Sequence, residues 1–203
     1  MIKLLPVVIL LSGLSFSAKA QMEVAVHGSV EIPLDELKWV FKPGTGVVAT
    51  ISKTKRYKTK GSAIGGSIGY SKFSPKEDLF YYYVSDTEVG TIRYEDMVSY
   101  QAAIQGRWEI IIKKKIDLFC GLELGIHYTK TAFVSHDPFQ SVDSDSFVGR
   151  YVAAPKAGVN YMLTKKLGAY FQTRLALSLA KSDIRDDQVN TYWTNSLGML
   201  YRF

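Results

Sequence analysis

Ser135, His136 and Asp137 stand side by side in "VSHD", the three residue types of nucleophilic acyl transfer. That chemistry needs the imidazole hydrogen-bonded to the hydroxyl and oriented in turn by the acid. Consecutive residues of an extended segment point in different directions, so no triad is expected and no catalytic residue is assigned. The three His and the single Cys120 show no ligand spacing for zinc, and no cofactor signature occurs.

A second set is more coherent. Arg107, Glu109, Glu123, Lys156 and Arg174 all occupy positions of the polar phase in alternating segments. Folding the chain back at Lys113–Lys115 puts Arg107 opposite Gly121 and Gln105 opposite Glu123. Folding it at Thr164–Lys166 puts Lys156 opposite Arg174. Two adjacent cations in a low-dielectric interior require a carboxylate, and Glu123 is the best placed. The expectation is an ion-pair network that fills an interior and holds register; the alternative is an ion-conducting lumen. His127 lies on this face and His27 is assigned to it.

The elements that would position these residues are long strands. Val98, Tyr100, Ala102, Ile104, Gly106, Trp108, Ile110 and Ile112 alternate with Ser99, Gln101, Ala103, Gln105, Arg107 and Glu109. After Lys113–Lys115 the pattern resumes, with Ile116, Leu118, Cys120, Leu122, Leu124, Ile126 and Tyr128 on one face. Each run exceeds ten residues, against the usual five or six of a soluble strand. Strands of about 9–11 residues, tilted, cross a bilayer. Tyr151–Leu163 and Leu167–Leu179 repeat the hairpin, and a terminal strand begins near Tyr192. Weaker alternation marks strands near Glu23–Ile32, Gly46–Lys53 and Ser62–Phe73, giving eight. Short connections fall at Lys53–Lys60, Lys113–Lys115 and Thr164–Lys166. Long ones fall at Pro33–Thr45, Ser74–Asp96, Thr131–Val148 and Asp183–Thr191.

A soluble eight-stranded barrel would also alternate, with its apolar face inward. Here the apolar faces are continuous and carry Tyr100, Trp108, Tyr128, Tyr151 and Tyr161 towards strand ends, the headgroup level of a membrane strand. The other face holds Gly65, Ser67, Gly69 and the charged set, a poor greasy pocket but a good filling for a narrow lumen. The expected fold is therefore all-β: an eight-stranded antiparallel transmembrane barrel with short periplasmic turns and longer extracellular loops. Cys120 reads as a small apolar filler on the lipid side.

The first twenty residues, "MIKLLPVVILLSGLSFSAKA", read as a cleaved signal peptide, with the barrel domain over 21–203. The formal charge of +6 drops to +4 without Lys3 and Lys19. That modest surplus shows no nucleic-acid pattern. With one Cys there is no internal disulfide. The run "KTKRYKTK" (Lys53–Lys60) reads as solvated turn surface, with contact to anionic lipid headgroups as the alternative. "LFYYYV" (Leu79–Val84), containing Phe80, Tyr81, Tyr82 and Tyr83, and "GTIRY" (Gly90–Tyr94) fall in the longest outer loop. They are expected either to extend the barrel wall as a hairpin or to offer a recognition edge.

The ending "TNSLGMLYRF" alternates to a final aromatic. Leu197, Met199, Tyr201 and Phe203 resemble the signal by which outer-membrane barrels are recognised by their assembly machinery. In lipid a sheet must close on itself, so the last strand must pair with the first. With "MVSYQAAIQGRWEIIIKKKIDLFCGLELGIHY" as its central hairpin, the chain resembles the small outer-membrane β-barrel family that includes OmpX-like and OmpA-transmembrane-like proteins. The resemblance implies residence in the outer membrane of a Gram-negative cell, in contact with its lipid and, during biogenesis, with the barrel assembly machinery. The expectation is a non-enzymatic monomer without cofactor, either structural or recognising an extracellular partner through its outer loops; the resemblance adds that members of the family serve as structural anchors and as adhesion proteins. A small pore is the second reading. A lipid-modifying enzyme is the third, but His27 and His127 do not match the lipid-facing His and Ser of lipid A deacylases.

Overall fold

The computed structural model describes residues 21–34, 37–85, 88–113, 115–136, 141–179 and 191–203. The predicted signal peptide (1–20) lies outside the described residues, as does Asp137. Strands β1 (Gln21–Pro33), β2 (Gly44–Arg56) and β3 (Lys60–Phe73) are followed by a short hairpin, β4 (Phe80–Tyr83) and β5 (Val89–Tyr94). Then come β6 (Met97–Lys113), β7 (Ile116–His136), β8 (Ser141–Met162), β9 (Leu167–Leu179) and β10 (Thr191–Arg202). A four-residue helical turn, α1 (Leu37–Val40), lies between β1 and β2.

Eight strands form the barrel, in the order β7-β6-β3-β2-β1-β10-β9-β8, and β7 pairs with β8 to close it. All pairings are antiparallel, and the first and last strands meet from Glu23↔Arg202 to Pro33↔Tyr192. Closure satisfies every strand edge at membrane depth, where no water is available to do so. Arg107↔Gly121, Gln105↔Glu123 and Lys156↔Arg174 are cross-strand partners.

Most outward-facing side chains are apolar. From Tyr100 to Ile110 they run for about 34 Å of strand, which at a tilt of about 40° spans about 26 Å, close to the usual apolar band. Tyr70, Tyr100 and Tyr128 stand in one row across β3, β6 and β7 and mark one rim. Trp108, Tyr161, Tyr201 and Phe203 are exposed towards the other. Cys120 points outward.

Two features differ from the sequence expectation. The segment expected as the loop Thr131–Val148 is mostly strand: β7 and β8 stay paired from Thr131↔Ser146 to His136↔Ser141. Within Ser74–Asp96, β4 and β5 make a hairpin, and β5 joins the outer end of β7 from Thr91↔His136 to Tyr94↔Phe133. Both lie above the row of tyrosines. There water bathes both faces, so no strict apolar alternation marks the strands.

Candidate functional site: a filled lumen and a projecting sheet

The barrel interior is layered. Towards the short-turn end six charges form one alternating chain. Glu109 accepts from Arg107 Nε at 2.9 Å, and Arg107 also donates to Glu23. Arg202 donates to Glu23 at 2.8 Å and to Asp117 at 2.9 Å, and Arg56 reaches Asp117 at 2.5 Å. The chain stitches β6, β1, β10, β7 and β2 together, with three cations matched by three anions.

Above it lies an aromatic layer. Phe119 stacks on Tyr170 at 5.6 Å, Tyr170 meets the His27 ring at 5.1 Å, and the Arg107 guanidinium covers Phe119 at 5.3 Å. Gly158 makes this layer possible, because a Cβ there would collide with the Phe119 ring and the backbone of β9. Ala25, Met162 and Leu200 complete the apolar packing.

Next comes a second charged cluster. Glu123 accepts from Lys156 at 3.2 Å through one oxygen and from Arg174 at 2.8 Å through the other. Arg174 also donates to Gln101 at 2.6 Å and reaches Glu31 at 3.5 Å, while Ser71 donates to Glu31 at 2.7 Å. Lys156 donates to Gln105 as well. Two cations meet two carboxylates, so this layer is neutral too. Unpaired, such buried charges would cost several kcal/mol each.

The mouth at the long-connection end is apolar. Phe41, Phe73, Met97, Val152, Ala154, Ala176 and Tyr192 form one buried cluster, with Leu37, Val40 and Tyr94 packed against it. Phe41 is held over the opening by α1, through its amide to the Leu37 carbonyl at 2.8 Å, and by a bridge to Pro75.

The structure therefore brings Arg107 and Glu109 into one cluster and Glu123, Lys156 and Arg174 into another, separated by the aromatic layer. Sequence reasoning missed Glu23, Glu31, Asp117, Arg56 and Arg202. Glu23 and Glu31 alternate with Val24, Val26, Val30 and Ile32, which is a readable signal of an inward face. Their partners Arg107, Arg202 and Arg174 sit on strands that no short hairpin joins to β1, so hairpin register does not reach them.

Outside the membrane band, β4, β5 and the ends of β7 and β8 form a projecting sheet. The strand β7 continues for about 27 Å beyond Tyr128. Of the four loop aromatics, Phe80 packs edge-on against Tyr94 at 5.4 Å, and Tyr94 leans on Phe133 at 5.8 Å. The Tyr82 and Ser135 hydroxyls hydrogen-bond at 3.0 Å. Tyr81 and Tyr83 face solvent, 71% and 84% exposed. Among the described residues β4 pairs only with β5, so its other edge is open. Ser135 and His136, successive residues of β7, point to opposite faces. Leu197, Met199, Tyr201 and Phe203 line the barrel exterior, with Tyr201 and Phe203 in edge contact at 4.9 Å.

Among the described residues no group of three or more His, Cys, Asp or Glu is placed to hold a metal ion. No protein-family model matches the chain. Comparison with curated proteins likewise finds no match. Solved structures do match. The chain is similar to the crystal structure of Ail, the attachment invasion locus protein of Yersinia pestis, with a TM-score of 0.50 and 16% identity, over 91% of this chain and 97% of that one. It is similar to the outer membrane protein OprG of Pseudomonas aeruginosa, with a TM-score of 0.50 and 13% identity, over 91% and 96%. The fold class these likenesses define is the small transmembrane β-barrel with eight antiparallel strands.

Proposed function

We propose that this chain is a non-enzymatic integral protein of a Gram-negative outer membrane, which recognises an extracellular partner through its projecting sheet. The short-turn end, where β1 begins and β10 finishes, faces the periplasm. The observation that carries the reading is the docked β4–β5 hairpin: it prolongs the barrel wall into water and presents an open edge beside Tyr81 and Tyr83. An open edge supplies main-chain hydrogen bonds to an added extended segment, and the alternate aromatics supply side-chain selectivity. The filled lumen supports this reading over a pore, since four successive layers stand between the two mouths.

In the sequence, positions 34–43, 74–96, 129–150 and 180–190 together contain fourteen Asp or Glu against eight Lys or Arg. A neutral or basic protein segment therefore fits better than an acidic polymer. Panning a displayed random-peptide library on vesicles carrying the protein tests this. Extended peptides rich in basic and β-branched residues should be enriched on the full chain. They should be lost when residues 79–94 are replaced by a Gly-Ser turn in a barrel that still folds. Equal recovery on both proteins would refute the assignment.

A further inference from the structure

Charge is sorted along the barrel axis. The segments of the short-turn end, 53–60, 113–115 and 164–166, contain ten Lys or Arg and no Asp or Glu. Arg56 is turned inward onto Asp117. Lys55, Lys58, Lys60, Lys115, Lys165 and Lys166 are exposed. The lumen clusters are neutral. The cationic rim therefore has no carboxylate in its own turns to answer it.

We infer that this rim is a binding surface for the phosphates of anionic phospholipids in the leaflet that surrounds the short-turn end. Three observations lead there. The lysines come from three turns and the strand ends beside them, β2–β3, β6–β7 and β8–β9, while the start of β1 and the end of β10 occupy the remaining arc. A ring of this kind matches a leaflet that encircles the barrel; a soluble linear polymer would meet only one arc. The lysines also adjoin the lipid-facing aromatic belt. Lys55 lies over the Tyr57 ring at 5.6 Å and Lys166 over Tyr201 at 6.0 Å, with Phe203 and Tyr161 exposed alongside. Such amphipathic rings settle at headgroup depth, and the flexible lysine stems place their ammonium groups at the phosphates. Finally, basic clusters at a membrane surface attract anionic lipid over a Debye length. The surface is separate from the projecting sheet, so its test does not depend on any outer partner.

The test uses the whole barrel in phosphatidylcholine vesicles containing either spin-labelled phosphatidylglycerol or spin-labelled phosphatidylcholine. The immobilised fraction of each is read by electron spin resonance. Phosphatidylglycerol should be favoured several-fold, and molar salt should bring the ratio towards one. Replacing Lys55, Lys58, Lys60, Lys115, Lys165 and Lys166 by Gln should abolish the preference. Replacing Lys72 and Lys130 at the other rim by Gln should leave it intact. The triple variant Lys55→Gln, Lys58→Gln, Lys60→Gln should lose part of it, and serves if the sixfold variant fails to fold. Equal association of the two lipids with the unaltered protein would overturn the inference. So would a preference that survives the lysine replacements. Tight binding of soluble polyphosphate in micelles, without lipid preference in vesicles, would instead assign the rim to a periplasmic polymer and overturn it.

Discussion

Arg202, in the last strand, donates from Nε to Glu23, in the first strand, at 2.8 Å, and the two residues are cross-strand partners at the barrel seam. The seam is thus closed by a buried ion pair as well as by backbone bonds. Glu23 also receives Arg107, so its carboxylate joins the closure to the opposite wall.

Removing that carboxylate should be costly. Glu23→Ala leaves Arg107 and Arg202 short of an anion and should destabilise the barrel by about 3–5 kcal/mol. Urea titration of the protein folded in vesicles measures this. A midpoint unchanged from the parent would show that the seam pair carries no energetic weight.

Glu123 allows a sharper experiment, because it bridges Lys156 and Arg174. Glu123→Ala should cost about 3–5 kcal/mol, and adding Lys156→Met should recover part of the loss by removing an orphaned charge. Leu122→Arg, on the lipid face beside it, should cost about 2–4 kcal/mol at the midplane, and Lys156→Met should not help it. The same urea titrations separate the two faces. Tolerance of both Glu123→Ala and Leu122→Arg would exchange the inside and outside assignments.

The end of β10 is expected to govern assembly. Changing Tyr201 and Phe203 to polar residues removes two apolar groups from the exterior of the strand that pairs with β1 and β9. Insertion in cells should slow, leaving protease-sensitive precursor. Normal accumulation of a heat-modifiable band would contradict this role.

At the outer rim, Asp96 is hydrogen-bonded by Lys72 at 2.7 Å and by Ser74, and these bonds hold its carboxyl below the usual carboxylate range. Its small stabilising contribution is complete above the ordinary carboxylate pKa and is lost as pH falls through the lowered value. Carboxyl NMR of the barrel should show Asp96 titrating below an unpaired Asp, and Lys72→Met should move it back up. No movement would detach Asp96 from Lys72.

The parts of this molecule legible in its sequence are those on which lipid imposes a rule. Val98–Ile112 and Leu118–Tyr128 keep every second residue apolar because one face must meet lipid, and the Lys113–Lys115 and Thr164–Lys166 turns define the register of Arg107, Glu123, Lys156 and Arg174. The outer ends of β7 and β8 were hidden because Ser141–Gly149 meets water and needs no such rule. The place of Phe41 over the mouth was equally hidden, since a single apolar residue in an irregular connection has no period. Glu31 and Asp117 escaped for another reason: their partners Arg174 and Arg202 become neighbours only when the sheet closes.

Single-channel recording in planar bilayers shows whether the layered interior is sealed, as it must be if the projecting sheet is the working surface. The purified barrel, inserted and verified as folded, should give no resolved conductance steps at either polarity. Steady ohmic steps from the folded protein would contradict the claim and make the lumen a conducting path.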